Sequence, residues 1–569
     1  MKNLKVTLSA VLLLLSIASW WACNQDPKHL DATIVDVAFA GRIIDENDAP
    51  VAGAQIQVGT ETIFTDDNGV FRTKKVKLPD NDAILKVSKT GYFEFSRAYF
   101  VQDEALQTVT IQLLAKTQVG SFDNASGGTV SIPGGPTLKF PANSVAASGN
   151  IRVFARYLNP SDAALGLFMP GDLRAINAGG TEQMLGTFGM VAVELESGGS
   201  TVQIAAGKEV ELTMPILSTQ AAQAPAEIAL WHYDTDKARW IEEGSAQKIG
   251  NQYVGKVKHF SFWNCDAGLP LVQLNGTVYL NDLQHPLANA VVKLVTTSGS
   301  FWPGYAFTDA QGNFGGSVFQ NEQMELSIQV YDQCGAQILY TQTVGPFSSN
   351  ATLPPIIISN AVAGVTTLAG TLEDCAGDPV TNGYVLINNS AVFVDASGAF
   401  VYSVLNCSPF NVQIQAFDMD NLKESPAVTI QLSPGSINDL APLVVCTGLD
   451  EYIQFNLDGT SYTAVSPSGG VFDDSLNVGN TVYLSSFNGT TTNASLQFQA
   501  TQAGTYPLTA FSINNINAYP IQNSNLSTEV TGFANTIGEY YIGTFSGTFQ
   551  AEAGGTHTVS GIYRVRKDN

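Results

Sequence analysis

Hydrophobic and polar positions recur in the same order at three places along the chain. Each time, a glycine interrupts an apolar strand and a proline opens a turn nine or ten residues on. A small residue follows four positions later, and an Asp-x-x-Gly-x-Phe stretch comes after that. The positions are Gly41, Pro50, Ala54 and Asp66 to Phe71; Gly276, Pro286, Ala290 and Asp309 to Phe314; and Gly370, Pro379, Gly383 and Asp395 to Phe400. Proline fixes φ for a turn, aspartate bonds back to the chain just after it, and glycine supplies the positive φ that ends a hairpin. The phenylalanine is then expected to start a strand and point into a core. Similarity continues beyond the turn. Ile328 to Asp332 (IQVYD) matches Ile414 to Asp418 (IQAFD), and Val109 to Leu113 (VTIQL) recurs identically at Val428 to Leu432. Together these matches predict one β-sandwich cassette used three times.

A different grammar runs between the first two copies. Gly127 to Pro141 alternates apolar and polar residues around a Gly-Gly-Pro turn, which predicts two strands. Further strands are expected at Ile151 to Tyr157, Met190 to Leu195, Val210 to Met214 and Ile228 to Tyr233. Trp231, Tyr233 and Trp240 flank a turn at Asp234 to Ala238, predicting a hairpin with aromatic edges. At the end of this segment, Val257 to Asp266 (VKHFSFWNCD) reads as an alternating last strand, with Phe260 and Phe262 on one face and Ser261 and Trp263 on the other. After Thr447 the chain is richer in Asn, Thr and aromatics. There Tyr541, Phe545 and Phe549 follow a Gly-punctuated pattern, and Val559 to Val565 reads as the strand that closes a small antiparallel sandwich or barrel.

Composition narrows the classes of function. With 27 basic against 50 acidic side chains, the formal net charge is -23 over 569 residues. No run of Lys and Arg offers phosphates a surface, so nucleic acid is not an expected partner. None of the five histidines begins an H-x-x-E or H-E-x-x-H pair, so sequence spacing points to no metal site and no cofactor. Asp66, Asp309 and Asp395 lack the ring of alternating oxygen ligands that calcium needs, and turn chemistry accounts for them. No nucleophile elbow, phosphate loop or pair of catalytic carboxylates stands out, and the chain reads as non-enzymatic.

The N-terminus carries a further signal. Lys2 and Lys5 precede an apolar run from Val6 to Ile17, and Ala18 to Ala22 lead into Cys23. This is the pattern of a secretory signal, with an apolar run too short to remain as a membrane span. Asn24 to His29 then reads as a polar tether.

Several of these stretches resemble known families. The thrice-used cassette is similar to the carboxypeptidase regulatory-like, transthyretin-like domain of Bacteroidetes surface proteins, a sandwich that holds no zinc and no catalytic group. Ala22-Cys23 resembles a bacterial lipoprotein processing site. That resemblance implies cleavage before Cys23, acylation of its thiol, and a membrane as partner through the lipid. Asn24 after the cysteine fits sorting to the outer membrane. The cell surface is the expected face there and the periplasmic face the alternative, since Asp26 alone is a weak export signal. The middle segment resembles the sandwich shared by zona occludens proteins, Unc-type netrin receptors and ankyrins, and the related autoproteolytic domain. In the latter the chain breaks within a His-Phe-Ser, which falls here on His259, Phe260 and Ser261. Ser261 Oγ would attack the Phe260 carbonyl while a base such as His259 takes its proton, given backbone strain at that bond. The C-terminal segment resembles uncharacterised modules of Bacteroidetes lipoproteins, and Asp474, Ser475 and Leu476 resemble a short O-glycosylation signal.

The expected architecture is therefore all-β, a multidomain string of antiparallel β-sandwiches with transthyretin-like or Ig-like repeats. It comprises a signal peptide (1–22), lipidated Cys23 and tether (23–36), cassette 1 (37–116), the middle sandwich (117–266), cassette 2 (267–360), cassette 3 (361–446) and a C-terminal sandwich or barrel (447–569). Export permits disulfides. Cys375 and Cys407, within one cassette, are the first candidate pair, and Cys265, Cys334 and Cys446 leave an odd thiol. The expected role is a non-catalytic envelope lipoprotein that presents sandwiches to a protein or glycan ligand, for binding, adhesion or envelope structure. Two alternatives remain at this point. One is a glycan-binding lipoprotein beside a nutrient importer, with Trp231, Trp240 and Trp302 as an exposed aromatic platform. The other is a protein cleaved between Phe260 and Ser261.

Overall fold

Burial that alternates along most strands reproduces the alternation in the sequence. The computed structural model describes residues 32–568, apart from 163–164, 289, 299–303, 310, 333–334, 360–364, 406–407, 459, 466, 474–479, 487–492, 514–515, 519–524 and 552–553. Among the described residues, regular structure is β-strand except for one turn of helix, Leu165–Phe168. The protein is a multidomain all-β chain of stacked sheets.

The three cassettes share one plan. In the first, Ile34–Ile44 lies between Val70–Arg72, antiparallel, and Leu106–Gln112, parallel. A second sheet, ordered Glu61–Phe64, Gln55–Val58, Ala83–Ser88 and Phe95–Tyr99, covers it. Leu271–Leu280 and Val365–Glu373 occupy the position of Ile34–Ile44 in the other two copies. Because the first and last strands of a cassette run in the same direction, the chain leaves at the end opposite to its entry, as a string of units requires.

The motif residues meet one another. Asp66 Oδ1 accepts the Asn68 and Val70 N–H groups at 2.9 and 2.8 Å. Asp309 and Asp395 do the same with residues two and four positions on. Gly69, Gly312 and Gly398 take φ of +71°, +78° and +79°, the left-handed region that closes this turn. Each proline bridges back to the first strand: Pro50 to Ile44, Pro286 to Tyr279 and Pro379 to Glu373. The strand glycine and the turn phenylalanine are cross-strand partners, Gly41 with Phe71, Gly276 with Phe314 and Gly370 with Phe400. A Cβ on Gly276 would sit 2.4 Å from the Phe314 ring and one on Gly370 2.9 Å from that of Phe400. In these two copies the glycine leaves the space its partner's ring fills, whereas at Gly41 the neighbour that a Cβ would meet is Val109 of the parallel strand.

One repeated pentapeptide does not keep its place. Val109 to Leu113 lies largely in the strand parallel to Ile34–Ile44, whereas the identical Val428–Leu432 pairs antiparallel with Phe410–Asp418 in the opposite sheet. In cassette 3 the parallel partners are Ile437–Asp439 and Leu443–Val444. An apolar alternation of this length fits either sheet, and the turns around it decide which.

The expected Cys375–Cys407 pair is also corrected, since Cys375 is bonded to Cys446. Glu373 and Val444 are parallel neighbours, so the residues two positions on from each arrive side by side, with Cα atoms 5.3 Å apart. Cys407 and Cys334 lie outside the described residues, and Cys265 is a buried free thiol.

The middle segment forms a 12-stranded sheet that curls on itself. Its inner face closes over one core, including Leu138, Val153, Leu212, Leu230 and Trp263. Its outer face forms a second core with Phe93 and Ala98 of cassette 1 and Phe319 of cassette 2. The predicted alternation at Phe260 to Trp263 is corrected by this arrangement. Phe260 and Trp263 enter the inner core while Phe262 enters the outer one. The strand begins only at Phe262, and the bend before it resets the phase.

The last segment has a 10-stranded sheet around a single core that contains Tyr541, Phe545, Phe549 and Val565. Gly469, in its edge strand, bridges to Lys567 just past the last strand, so the sheet curls toward barrel closure.

Consecutive units also touch units far along the chain. Tyr384 of cassette 3 donates its hydroxyl to Asp66 Oδ2 at 2.6 Å, and Asn68 donates to that hydroxyl at 2.9 Å. Arg42 reaches the Asn389 carbonyl, and Arg564 of the C-terminal unit pairs with Asp67. Cassette 1 is therefore the hub that every other unit contacts.

Burial at this joint raises the Asp66 carboxyl to about 6, outweighing the Tyr384 and backbone donors that lower it. An acid whose pKa is raised on folding keeps a proton that the unfolded chain releases. Its contribution is complete below pH 4 and is lost as pH rises through about 6. Asp66→Asn should remove that dependence. Relative to the parent chain, its stability should improve by about 1–2 kcal/mol between pH 4 and pH 7, a figure reduced for the partial solvent contact of the site. Thermal unfolding of both proteins across that range measures it.

Candidate functional site

The end of the middle segment gathers most of the side chains singled out from sequence. Glu227–Asp234 and Arg239–Ile249 form the predicted hairpin, with Tyr233 opposite Trp240 and Asp234 opposite Arg239. Asp234 Oδ1 accepts the N–H groups of Asp236 and Lys237 at 3.0 Å, which holds the turn.

The aromatics of this hairpin are not an exposed platform, which corrects the glycan-binding expectation for two of its three residues. Trp231 is 1% exposed and Trp240 0%. Both lie in the core between the middle sheet and cassette 1. Trp231 Nε1 donates to the Asp266 carbonyl at 3.0 Å, and Tyr233 donates its hydroxyl to the Ser96 carbonyl at 2.7 Å. The edge that the sequence suggested is the surface on which the first cassette docks. Trp302 lies outside the described residues.

The three residues of the His-Phe-Ser motif each have a different partner. His259 Nε2 meets Glu243 Oε2 at 3.1 Å. Ser261 Oγ donates to the Phe262 carbonyl at 3.1 Å. The Phe260 amide donates to Gln203 Oε1 at 2.8 Å, and its carbonyl accepts from Gln203 Nε2 at 3.1 Å. Base and nucleophile are thus engaged apart, and neither Phe260 nor Ser261 has a positive φ. A glutamine distant in sequence clamps the peptide that self-cleavage would have to strain.

Strand alternation sends His232 to the face opposite Trp231 and Tyr233. There its Nε2 lies 3.7 Å from Glu243 Oε2, and its ring meets His259 edge to face at 4.5 Å between centroids. Trp263 stands beside both imidazoles, at 5.8 and 5.1 Å, and donates its indole N–H to the His259 carbonyl at 3.0 Å. Burial, and next the neighbouring His259, lower the His232 pKa from the usual imidazole value. Sequence reasoning missed this trio because its members come from two strands and a bend. The period-two phase of the strand, with Trp231 and Tyr233 buried together, was the one signal that set His232 apart.

Two cavities lie nearby. One of about 380 Å³ has Glu243, Glu209, Glu211, Lys256 and Lys258 in its wall. Another, of about 680 Å³, opens where the first two cassettes meet the middle sheet. Its Arg97 guanidinium donates to the carbonyls of Gly166, Met169 and Gly171, which makes that side chain a fastener between units.

No protein-family model matches the chain. Cartilage intermediate layer protein 2 of Mus musculus is 26% identical over 228 residues, 37% of this chain. The chain spans only 19% of that relative's length. Among solved structures, the minor pilin GBS52 of Streptococcus agalactiae aligns with 31% of this chain and 97% of its own, at TM-score 0.14 and 10% identity. Shaft pilin SpaA of Lactobacillus rhamnosus GG aligns with 32% and 99%, at 0.17 and 8%. The Bacillus anthracis TIE protein aligns with 70% and 67%, at 0.14 and 11%. Superpositions this weak carry no argument about role. The comparisons assign the chain to no family, and its function rests on its own residues.

Proposed function

We propose that the protein is a non-catalytic lipoprotein of a Gram-negative cell envelope, anchored to the outer membrane through acylated Cys23, which presents a fixed assembly of β-sandwiches for adhesion. The observation that carries this reading is the fastening of the units. Cassette 1 is joined to cassette 3 through Asp66 and Tyr384, to the C-terminal unit through Asp67 and Arg564, and to the middle sheet through a shared aromatic core. Fasteners of this kind turn a string of domains into one body that holds a surface at a set distance from its anchor. Supporting this reading, Trp231 and Trp240 are buried, and Ser261 Oγ donates to the neighbouring Phe262 carbonyl. The proposed anchor rests on the Lys2 to Cys23 stretch, whose apolar run and Ala22-Cys23 step resemble a lipoprotein signal.

Deletion of the gene in its host tests this. Lost attachment of cells to a surface, with unchanged growth on polysaccharides, is the expected result. Impaired growth on a polysaccharide with attachment intact would replace adhesion by nutrient capture.

A further inference from the structure

We infer that His232, Glu243 and His259 form a binding site for a single Zn²⁺ ion. Their ligand atoms all lie within 4.8 Å of one another. Around a tetrahedral zinc with ligands at about 2.0–2.1 Å, neighbouring ligand atoms stand about 3.3 Å apart. Glu243 Oε2 is 3.1 Å from His259 Nε2 and 3.7 Å from His232 Nε2, so small side-chain adjustments complete the set. Two borderline imidazole nitrogens with one carboxylate suit zinc better than calcium or magnesium, which take all-oxygen sets.

The surroundings are those of a supported site. His259 is positioned from behind by Trp263 on its carbonyl and by Gln203 on the next peptide. His232 is fixed by the hairpin and backed by the Trp263 ring. The three side chains are partly exposed, His232 at 19%, Glu243 at 33% and His259 at 34%, so an ion can enter from solvent without the fold opening. Glu243 also lines the 380 Å³ cavity, so its carboxylate side of the site borders solvent-filled space. Other charged groups in that cavity wall are Glu209, Glu211, Lys256 and Lys258, and Lys256 is paired with Glu209 at 3.2 Å. The ion would tie two strands of the hairpin to the bend that precedes the strand Phe262–Leu269. It would also hold the His259 nitrogen lone pair that self-cleavage would use, so the site goes beyond the proposed function and agrees with it.

The test is zinc titration of the full chain without an affinity tag, by calorimetry at pH 7.5, with Co²⁺ absorption as a second probe. One ion per chain is expected, with binding weakened at least tenfold in each of His232→Ala, His259→Ala and Glu243→Gln. His285→Ala, on an exposed turn of cassette 2, should leave it unchanged. Binding should also weaken in acid, because a protonated imidazole has no lone pair for the ion. X-ray absorption on the unmodified zinc-loaded chain needs no variant, and two imidazoles with oxygen are expected in the first shell. A sulfur shell, retained 1:1 binding in the paired His232→Ala/His259→Ala chain, or no stoichiometric binding to the parent chain would each overturn the proposal.

Discussion

Replacing Cys446 by serine is expected to destabilise cassette 3 by about 4 kcal/mol, the loop-closure entropy released when a bond spanning 71 residues is lost. Cys375→Ser should do the same, and the two changes together should cost no more than either alone. The bond fastens the parallel pair Glu373–Val444 at the edge where the first strand of the cassette meets its last. Without it, two short parallel strands, Ile437–Asp439 and Leu443–Val444, have only three and two residue pairs to hold them. Urea unfolding with and without reductant measures the loss, and peptide mapping of the oxidised chain should find Cys375 joined to Cys446. A Cys375–Cys407 peptide would contradict the register on which the assignment rests.

The second large effect belongs to Trp240. It is fully buried against Tyr233, with ring centroids 5.1 Å apart. Truncation to alanine should cost about 3–5 kcal/mol through lost burial and a cavity. Trp240→Phe should cost much less, because it keeps an aromatic ring and the buried indole N–H has no hydrogen-bond partner to lose. Since the same core joins the middle sheet to cassette 1, Trp240→Ala should also make the boundary between those units easier for proteases to enter. Unfolding midpoints and limited proteolysis check both effects. A Trp240→Ala chain of parental stability that had lost affinity for a polysaccharide would restore the aromatic-platform reading.

The cassette was legible in sequence because its grammar is local. A proline, an aspartate and a glycine within a few residues dictate a turn through their own backbone preferences, and the phenylalanine that follows has one inward direction. The pairing of Gly41, Gly276 and Gly370 with those phenylalanines could be read only once the register was known. Contacts across long separations left weaker traces. Trp231 and Trp240 look the same in sequence whether they face solvent or another domain, and it is the docking of Phe93 and Ala98 that buries them. The disulfide failed for a related reason. Membership of one cassette made Cys407 the nearest partner, but parallel pairing brings the end of the cassette back to Cys375. The histidine pair was hidden because zinc-binding spacings in sequence describe one helix or one loop, whereas His232, Glu243 and His259 converge from separate elements.

The intact mass of the protein extracted from the membranes of its own host tests the central claim most directly. A single species that begins at Cys23 and carries added acyl mass is the predicted result, because the proposed scaffold is anchored by lipid and unbroken at Phe260–Ser261. Two fragments that meet at Ser261, abolished by Ser261→Ala, would contradict it and make the middle domain an autoprotease.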